Sequence, residues 1–241
     1  MCAVIGFYSA DPNSVDISIL KQIYLESKIR GKHATGAYLY GDGVSLPIPS
    51  KEFVDLFPFE IISGETYFIG HTRYSTSDLS YNQPIIDKGV GVVHNGVITQ
   101  EEPTKWEHHF GYKCETLNDS ELILKCFQEN KTHPLTKFKG SSVACIISDG
   151  NSLVFFRNES RPLWYYMHNK SLFISSTRDI LRRAFDAVIN LGIEPIKCDP
   201  YVEYKLIKGN LSKTTLSKDF IDKQVTLPCS DFYKSLCDGL S

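Results

Sequence analysis

Residues 2–8, Cys-Ala-Val-Ile-Gly-Phe-Tyr, are an apolar run of strand length, which puts Cys2 at the tip of a buried strand. After Asn13 or Ser14 as a cap, Val15, Ile19, Leu20, Ile23 and Tyr24 recur at helical spacing. That pattern predicts a helix stopping near Arg30, with Gly31 at the C′ position. Residues 36–47 read as a short hairpin around Gly41-Asp42-Gly43. A Pro-containing link with one helical turn leads to Thr-Tyr-Phe-Ile-Gly-His-Thr-Arg (66–73), a strand ending in polar residues. Residues 75–88 read as a polar loop, and 89–96 as a second apolar run ending in a polar turn at Asn95-Gly96. Asn118 or Asp119 caps a helix over about 120–130, with Glu121 placed to meet its N-terminal dipole.

Four short apolar runs fill 141–176, separated by turn signals at Asp149-Gly150-Asn151 and His168-Asn169-Lys170, and predict an antiparallel meander. A helix over 177–188 and two strand-like runs over 201–216 follow, and residues 229–241 are weakly patterned. Strand groups with helices between them predict an α+β protein of layered sheets covered by helices. No internal repeat or linker divides the chain, so 1–241 reads as one domain. The polar ends of the runs at 66–73 and 89–96, together with Cys2, are expected to converge on one rim.

Composition narrows the partners. The 26 basic and 28 acidic residues give a net charge of −2, which argues for neither nucleic acid nor an anionic membrane. Seven scattered cysteines without a C-x-x-C pair suit a reduced, cytoplasmic protein rather than a disulfide framework or a zinc site. The first residues lack a basic segment, and their apolar run is short for a signal peptide or membrane span. No metal or cofactor is called for, because His108-His109 and His133 lack metal-ligand spacing.

The candidate chemistry begins at Met1-Cys2. Removal of Met1 would leave Cys2 with a thiol and a free α-amine on one carbon. The amine's reference pKa, about 7.7–8.0, lies close to the thiol's value of about 8.5, so it can take the thiol proton near neutrality. Asn95 offers a side-chain N–H and Gly96 a backbone N–H for an oxyanion. Arg73 offers a planar fork for a carboxylate, and Asp119 a carboxylate for an ammonium group. Carboxylate, ammonium and amide carbonyl together describe free glutamine. Each residue also has a plainer reading: Arg73 as a strand-end charge, Asn95-Gly96 as a type I′ turn, Asp119 as a helix cap. His71 and His94 read as structural, and Cys114, Cys126 and Cys145 as inert.

In order along the chain stand Cys2, Arg-Gly-Lys-His-Ala-Thr-Gly (30–36), Gly-His-Thr-Arg-Tyr-Ser-Thr (70–76), Asn-Gln-Pro (82–84), His-Asn-Gly-Val-Ile (94–98) and Asn-Asp-Ser-Glu (118–121). Gly-Ser-Ser-Val-Ala-Cys-Ile (140–146), Arg-Pro-Leu-Trp-Tyr-Tyr (161–166) and Phe-Ile-Ser-Ser-Thr-Arg-Asp (173–179) complete the series. This series resembles the glutaminase domain of class II glutamine amidotransferases, the N-terminal-nucleophile type. The resemblance implies a four-layer αββα sandwich of two antiparallel sheets and a mature chain starting at Cys2. It implies Cys2 as nucleophile through a γ-glutamyl thioester, Asn95 and Gly96 as oxyanion hole, and Arg73, Tyr74, Thr76 and Asp119 as binders of L-glutamine. The chain departs from the family pattern at Tyr74 (usually Trp), Ser77 (often His), His33 (usually acidic) and Ala34 (usually Ser). The series leaves no segment for an acceptor-amidating domain, so a separate synthetase subunit is expected to receive the ammonia. The departures at His33, Ala34 and Ser77 keep open hydrolysis of another γ-glutamyl or small-molecule amide. A binding module with a degenerate site is a third reading, against which the presence together of Cys2, Arg73, Asn95, Gly96 and Asp119 argues.

Overall fold

The computed structural model describes residues 2–75 and 80–216. Met1, Thr76, Ser77 and the segment 229–241, all invoked above, lie outside them. The strands are β1 Ala3–Ser9, β2 Ala34–Leu39, β3 Asp42–Leu46, β4 Thr66–Arg73, β5 Ile85–Asp87, β6 Val90–Val97 and β7 Ser142–Ser148. They continue with β8 Leu153–Arg157, β9 Trp164–His168, β10 Ser171–Ser175, β11 Ile196–Lys197, β12 Val202–Ile207 and β13 Asn210–Thr215. Helices are α1 Ser14–Ser27, α2 Ser50–Leu56, α3 Trp106–Phe110, α4 Ser120–Glu129, α5 Pro134–Lys137 and α6 Arg178–Ile189.

Two antiparallel sheets result, one ordered β11-β9-β10-β1-β4-β2-β3 and the other β13-β12-β8-β7-β6-β5. β1 lies centrally between β10 and β4, and all of its residues are buried, which is why its sequence is apolar on both faces. Between the sheets pack Val4, Ile69, Val93, Ile146, Phe155 and Tyr204. The outer face of the first sheet buries Ile5, Phe7 and Phe68 against Ile19, Ile23, Leu181 and Phe185 of α1 and α6. The outer face of the second buries Val92, Cys145 and Phe156 against Leu122, Ile123 and Cys126 of α4. Helix, sheet, sheet, helix is therefore the layer order, and each fully buried Phe, Leu or Ile contributes about 1.5–3 kcal/mol.

Several local expectations are corrected. Helix α1 starts as read, with a capping box between Asn13 and Asp16, but its last residue is Ser27. Gly31 is not a left-handed cap. Its Cα faces β4 so closely that a Cβ would stand 2.3 Å from the Thr72 carbonyl oxygen. The hairpin turn falls on Tyr40 and Gly41, whose positive φ values of 52° and 89° match the twist of the flanking strands. Within the expected loop 75–88, Ile85–Asp87 form a strand. The four runs of 141–176 do not form one meander: β7 and β8 pair in one sheet, β9 and β10 in the other. No helix among the described residues is long and apolar enough to cross a membrane.

Candidate active site

The polar ends of three strands meet at one rim. Ala3 of β1 pairs with Thr72 of β4, which brings Cys2 beside the end of β4. The second sheet packs beneath, and its β6 runs its own polar end toward the same place. Cys2, Arg73, Tyr74, Asn95, Gly96 and Asp119 all line a single cavity of about 500 Å³. Thus every described residue singled out from the sequence as a site candidate borders one space.

Cys2 is half-buried, and its Sγ lies 3.9 Å from the Tyr74 carbonyl oxygen. Burial pushes the thiol above its ordinary value; the contact with Tyr74 and the nearby Arg73 and Arg30 guanidiniums pull the other way without prevailing. The Arg30 Nε donates to the Cys2 carbonyl oxygen at 2.9 Å and fixes the backbone that carries the thiol. The sequence presented Arg30 as the end of a helix and the first residue of the 30–36 stretch, with no role of its own. Its position just past α1 is what lets it reach back to β1.

Asn95 and Gly96 do not form a turn. Strand β6 continues through them, opposite Ala144 and Val143 of β7. Gly96 has φ of 147°, and a Cβ there would overlap the Ser142 carbonyl oxygen at 1.6 Å. Only glycine permits this backbone so close to β7. Asn95 is buried, and its Nδ2 has no hydrogen-bond partner in the structure. A buried donor left unpaired costs about 1–3 kcal/mol, so it marks a place where the fold tolerates a loss.

Arg73 ends β4, with its Nη1 donating to the Tyr81 carbonyl oxygen and to Asn82 Oδ1, both at 2.7 Å. These bonds hold the guanidinium at the cavity wall. Asp119 immediately precedes α4 without capping it by its side chain; instead Asn118 Oδ1 accepts from the Ser120 N–H at 3.0 Å. Asp119 Oδ2 accepts from the Ile98 N–H at 2.7 Å, which aims the carboxylate at the cavity beside β6.

Both histidines are buried. His94 Nδ1 lies 2.7 Å from Ser120 Oγ, and its Nε2 lies 3.7 Å from Asp119 Oδ1. Burial lowers its pKa, with Asp119 opposing. Burial, reinforced by His94 and Arg73, lowers His71 to about 3. Gln83 was missed by the sequence reading as an individual residue: its Oε1 accepts from the His94 N–H at 2.5 Å, tying the segment before β5 to β6. Arg161, Trp106 and Leu117 also line the cavity; the Arg-Pro-Leu-Trp run around Arg161 was noticed without a role for the arginine. Among the described residues no group of three His, Cys, Asp or Glu side chains could hold a metal ion.

A model of the glutamine amidotransferase domain matches residues 59–214, more than half of the chain. No curated protein sequence matches it. Among solved structures, glutamine phosphoribosylpyrophosphate amidotransferase from B. subtilis, complexed with ADP and GMP, matches with a TM-score of 0.70 at 17% identity, covering 91% of this chain and 50% of that one. A structure described as the allosteric regulatory enzyme of purine biosynthesis matches with a TM-score of 0.70 at 17% identity, covering 90% of this chain and 49% of that one. A glutamine aminotransferase class-II domain protein from Silicibacter pomeroyi matches with a TM-score of 0.57 at 10% identity, covering 89% and 98%. The chain spans about half the length of the first two. It has their two-sheet fold, and it belongs to the glutamine amidotransferase domain family.

Proposed function

We propose that this domain hydrolyses the side-chain amide of L-glutamine through Cys2 and supplies the ammonia to a separate acceptor-amidating enzyme. The observation that carries the reading is the buried, unpartnered Nδ2 of Asn95, a residue that lines the same cavity as Cys2. A preorganised donor with nothing to bind is what a transient oxyanion requires.

Arg73 takes the substrate carboxylate and Asp119 its ammonium group, which aims the side-chain amide at Cys2; Tyr74 lines the same cavity. With Met1 removed, the α-amine of Cys2 accepts the thiol proton and the sulfur adds to the amide carbon. The oxyanion rests on Asn95 Nδ2 and the Gly96 N–H. On collapse the C–N bond breaks, the α-ammonium returns its proton to nitrogen, and ammonia leaves a γ-glutamyl thioester. Water, deprotonated by the same amine, adds to the thioester; sulfur departs with the proton and glutamate is released. No redox step and no cofactor enters. Ammonia is a small neutral product, so an acceptor enzyme docked over the cavity mouth can use it before it is protonated in bulk water.

A second reading, hydrolysis of another γ-glutamyl amide without ammonia transfer, draws on the cavity's size. About 500 Å³, with Trp106 and Leu117 on its wall, is in the range of pockets for larger ligands than one amino acid. Glutamate release from glutamine by protein with a verified Cys2 N-terminus, beside Cys2→Ala, tests the first reading. Turnover lost with Cys2→Ala supports it. Slow turnover of glutamine but rapid turnover of N-substituted γ-glutamyl amides transfers the function to the second, and turnover that survives Cys2→Ala removes both.

A further inference from the structure

We propose that His33 is a positioning residue for the glutamine site, a clamp that holds residues 73–75 in register beyond the end of β4. The proposal rests on the glutaminase reading for its kinetic consequence, but its geometry stands apart from that reading. β2 begins at Ala34, which pairs with Arg73, the last residue of β4. Beyond that pair the strand pairing ends.

His33 takes over there with three contacts to three consecutive residues. Its backbone N–H donates to the Arg73 carbonyl oxygen at 2.9 Å. Its ring lies against Tyr74, centroids 4.8 Å apart with an interplanar angle of 33°. Its Nδ1 accepts from the Ser75 backbone N–H at 3.0 Å. An accepting Nδ1 carries no proton, so the ring here is the Nε2–H tautomer. The three residues held this way matter to the site. Arg73 brings the guanidinium to the cavity, and the Tyr74 carbonyl oxygen lies 3.9 Å from the Cys2 sulfur. At the far end Arg73 and Asn118 both donate to the Tyr81 carbonyl oxygen, at 2.7 and 3.1 Å. His33 therefore holds residues 73–75 from the β2 side, while the Arg73 side chain is tied to Tyr81 and Asn82.

The test compares His33→Ala with His33→Asn in full-length protein with a native Cys2 N-terminus. The Asn Oδ1 reaches as far as the imidazole Nδ1 and accepts the same hydrogen bond, without the ring. For His33→Ala the expected result is a KM for glutamine raised about tenfold with kcat changed less than about threefold, the signature of lost ground-state positioning. For His33→Asn most of the KM is expected to return. A residue that only supported folding would lower the active fraction and Tm, leave KM alone, and distinguish poorly between Ala and Asn. An unchanged KM in His33→Ala, or an equal rise in both variants, overturns the clamp. Should wild-type protein release no glutamate, the glutaminase reading falls, and Cys2 alkylation by iodoacetamide judges the clamp. His33→Ala should then react at least about threefold faster than wild type, with His33→Asn near wild type; equal rates in all three overturn it.

Discussion

Asn95→Ala separates catalysis from stability because the two should move in opposite directions. In the resting protein the Asn95 Nδ2 is buried and unpaired. Truncation removes that unsatisfied donor, relieving about 2 kcal/mol of the usual 1–3 kcal/mol penalty. It also removes the amide's dispersion contacts, about 1 kcal/mol for a few heavy atoms on a wall already facing a cavity. The net effect is a stabilisation of about 1 kcal/mol, and a domain of this size converts that into a rise in Tm of about 2–4 °C. The transition state loses an oxyanion donor, which costs about 10²–10³ in kcat, or about 2.7–4 kcal/mol. Steady-state glutamate release and calorimetric unfolding on one preparation read both numbers. A fall in Tm of more than about 4 °C would make Asn95 a structural residue, and a kcat within threefold of wild type would remove the oxyanion assignment.

Arg73→Lys keeps the charge but loses the planar fork; losing one charge-assisted hydrogen bond, about 1.5–3 kcal/mol, should raise KM for glutamine about 10–150-fold, read from initial rates. Gly96→Ala puts a Cβ 1.6 Å from the Ser142 oxygen at φ of 147°. It should lower both kcat and Tm, since strain of about 1–3 kcal/mol adds to a backbone displacement at the β6–β7 pair, and an unchanged Tm would contradict the geometry. His71 and His133 are held by burial at about 3 and about 4, below the ordinary 6.5. Their neutral forms stabilise the fold fully above about 6.5, and that stability is lost as pH falls toward 4 and then 3, because the unfolded chain binds the protons first. Urea unfolding across pH 7 to 4 should show the decline, shallower in His71→Gln.

The strands that carry the site were readable because their sequences are apolar on both faces. β1 and β4 lie in the middle of a sheet covered on one side by helices and on the other by the second sheet, so neither face shows polar alternation. That same uniformity hid the crossing between sheets. β8 and β9 follow each other with similar patterns, yet each pairs with its other sequence neighbour, β7 for one and β10 for the other. Only the long-range pairings of β7 with β6 and of β10 with β1 put the two hairpins in different sheets. Asn95-Gly96 shows a local signal losing to a non-local one. The pair has turn chemistry, yet the ladder to Ala144 and Val143 carries the strand through it. Asp119 sits where a cap belongs, but the N–H it satisfies is that of Ile98, two residues past Gly96, so its purpose is tied to β6 rather than to α4. His33 stood out only as a departure from the family pattern, since a histidine after a helix reads the same whether or not a strand end needs holding.

The state of the thiol decides how this site must work. Burial raises the Cys2 thiol, and Arg73 and Arg30 offset that rise only in part, so the thiolate is scarce at neutral pH. The sulfur's near neighbour, the Tyr74 carbonyl oxygen, accepts a hydrogen bond but takes no proton. His94 and His71 are poor bases, because burial has already lowered both. In the proposed mechanism the α-amine of Cys2 itself is the base, and it exists only once Met1 is gone. An amide nitrogen in its place has no basicity to offer. Activity per molecule should therefore follow the fraction of chains that begin at Cys2, measured by intact mass, and not the amount of folded protein. A preparation that retains Met1 throughout yet turns over glutamine at the full rate would require another base and would refute this account.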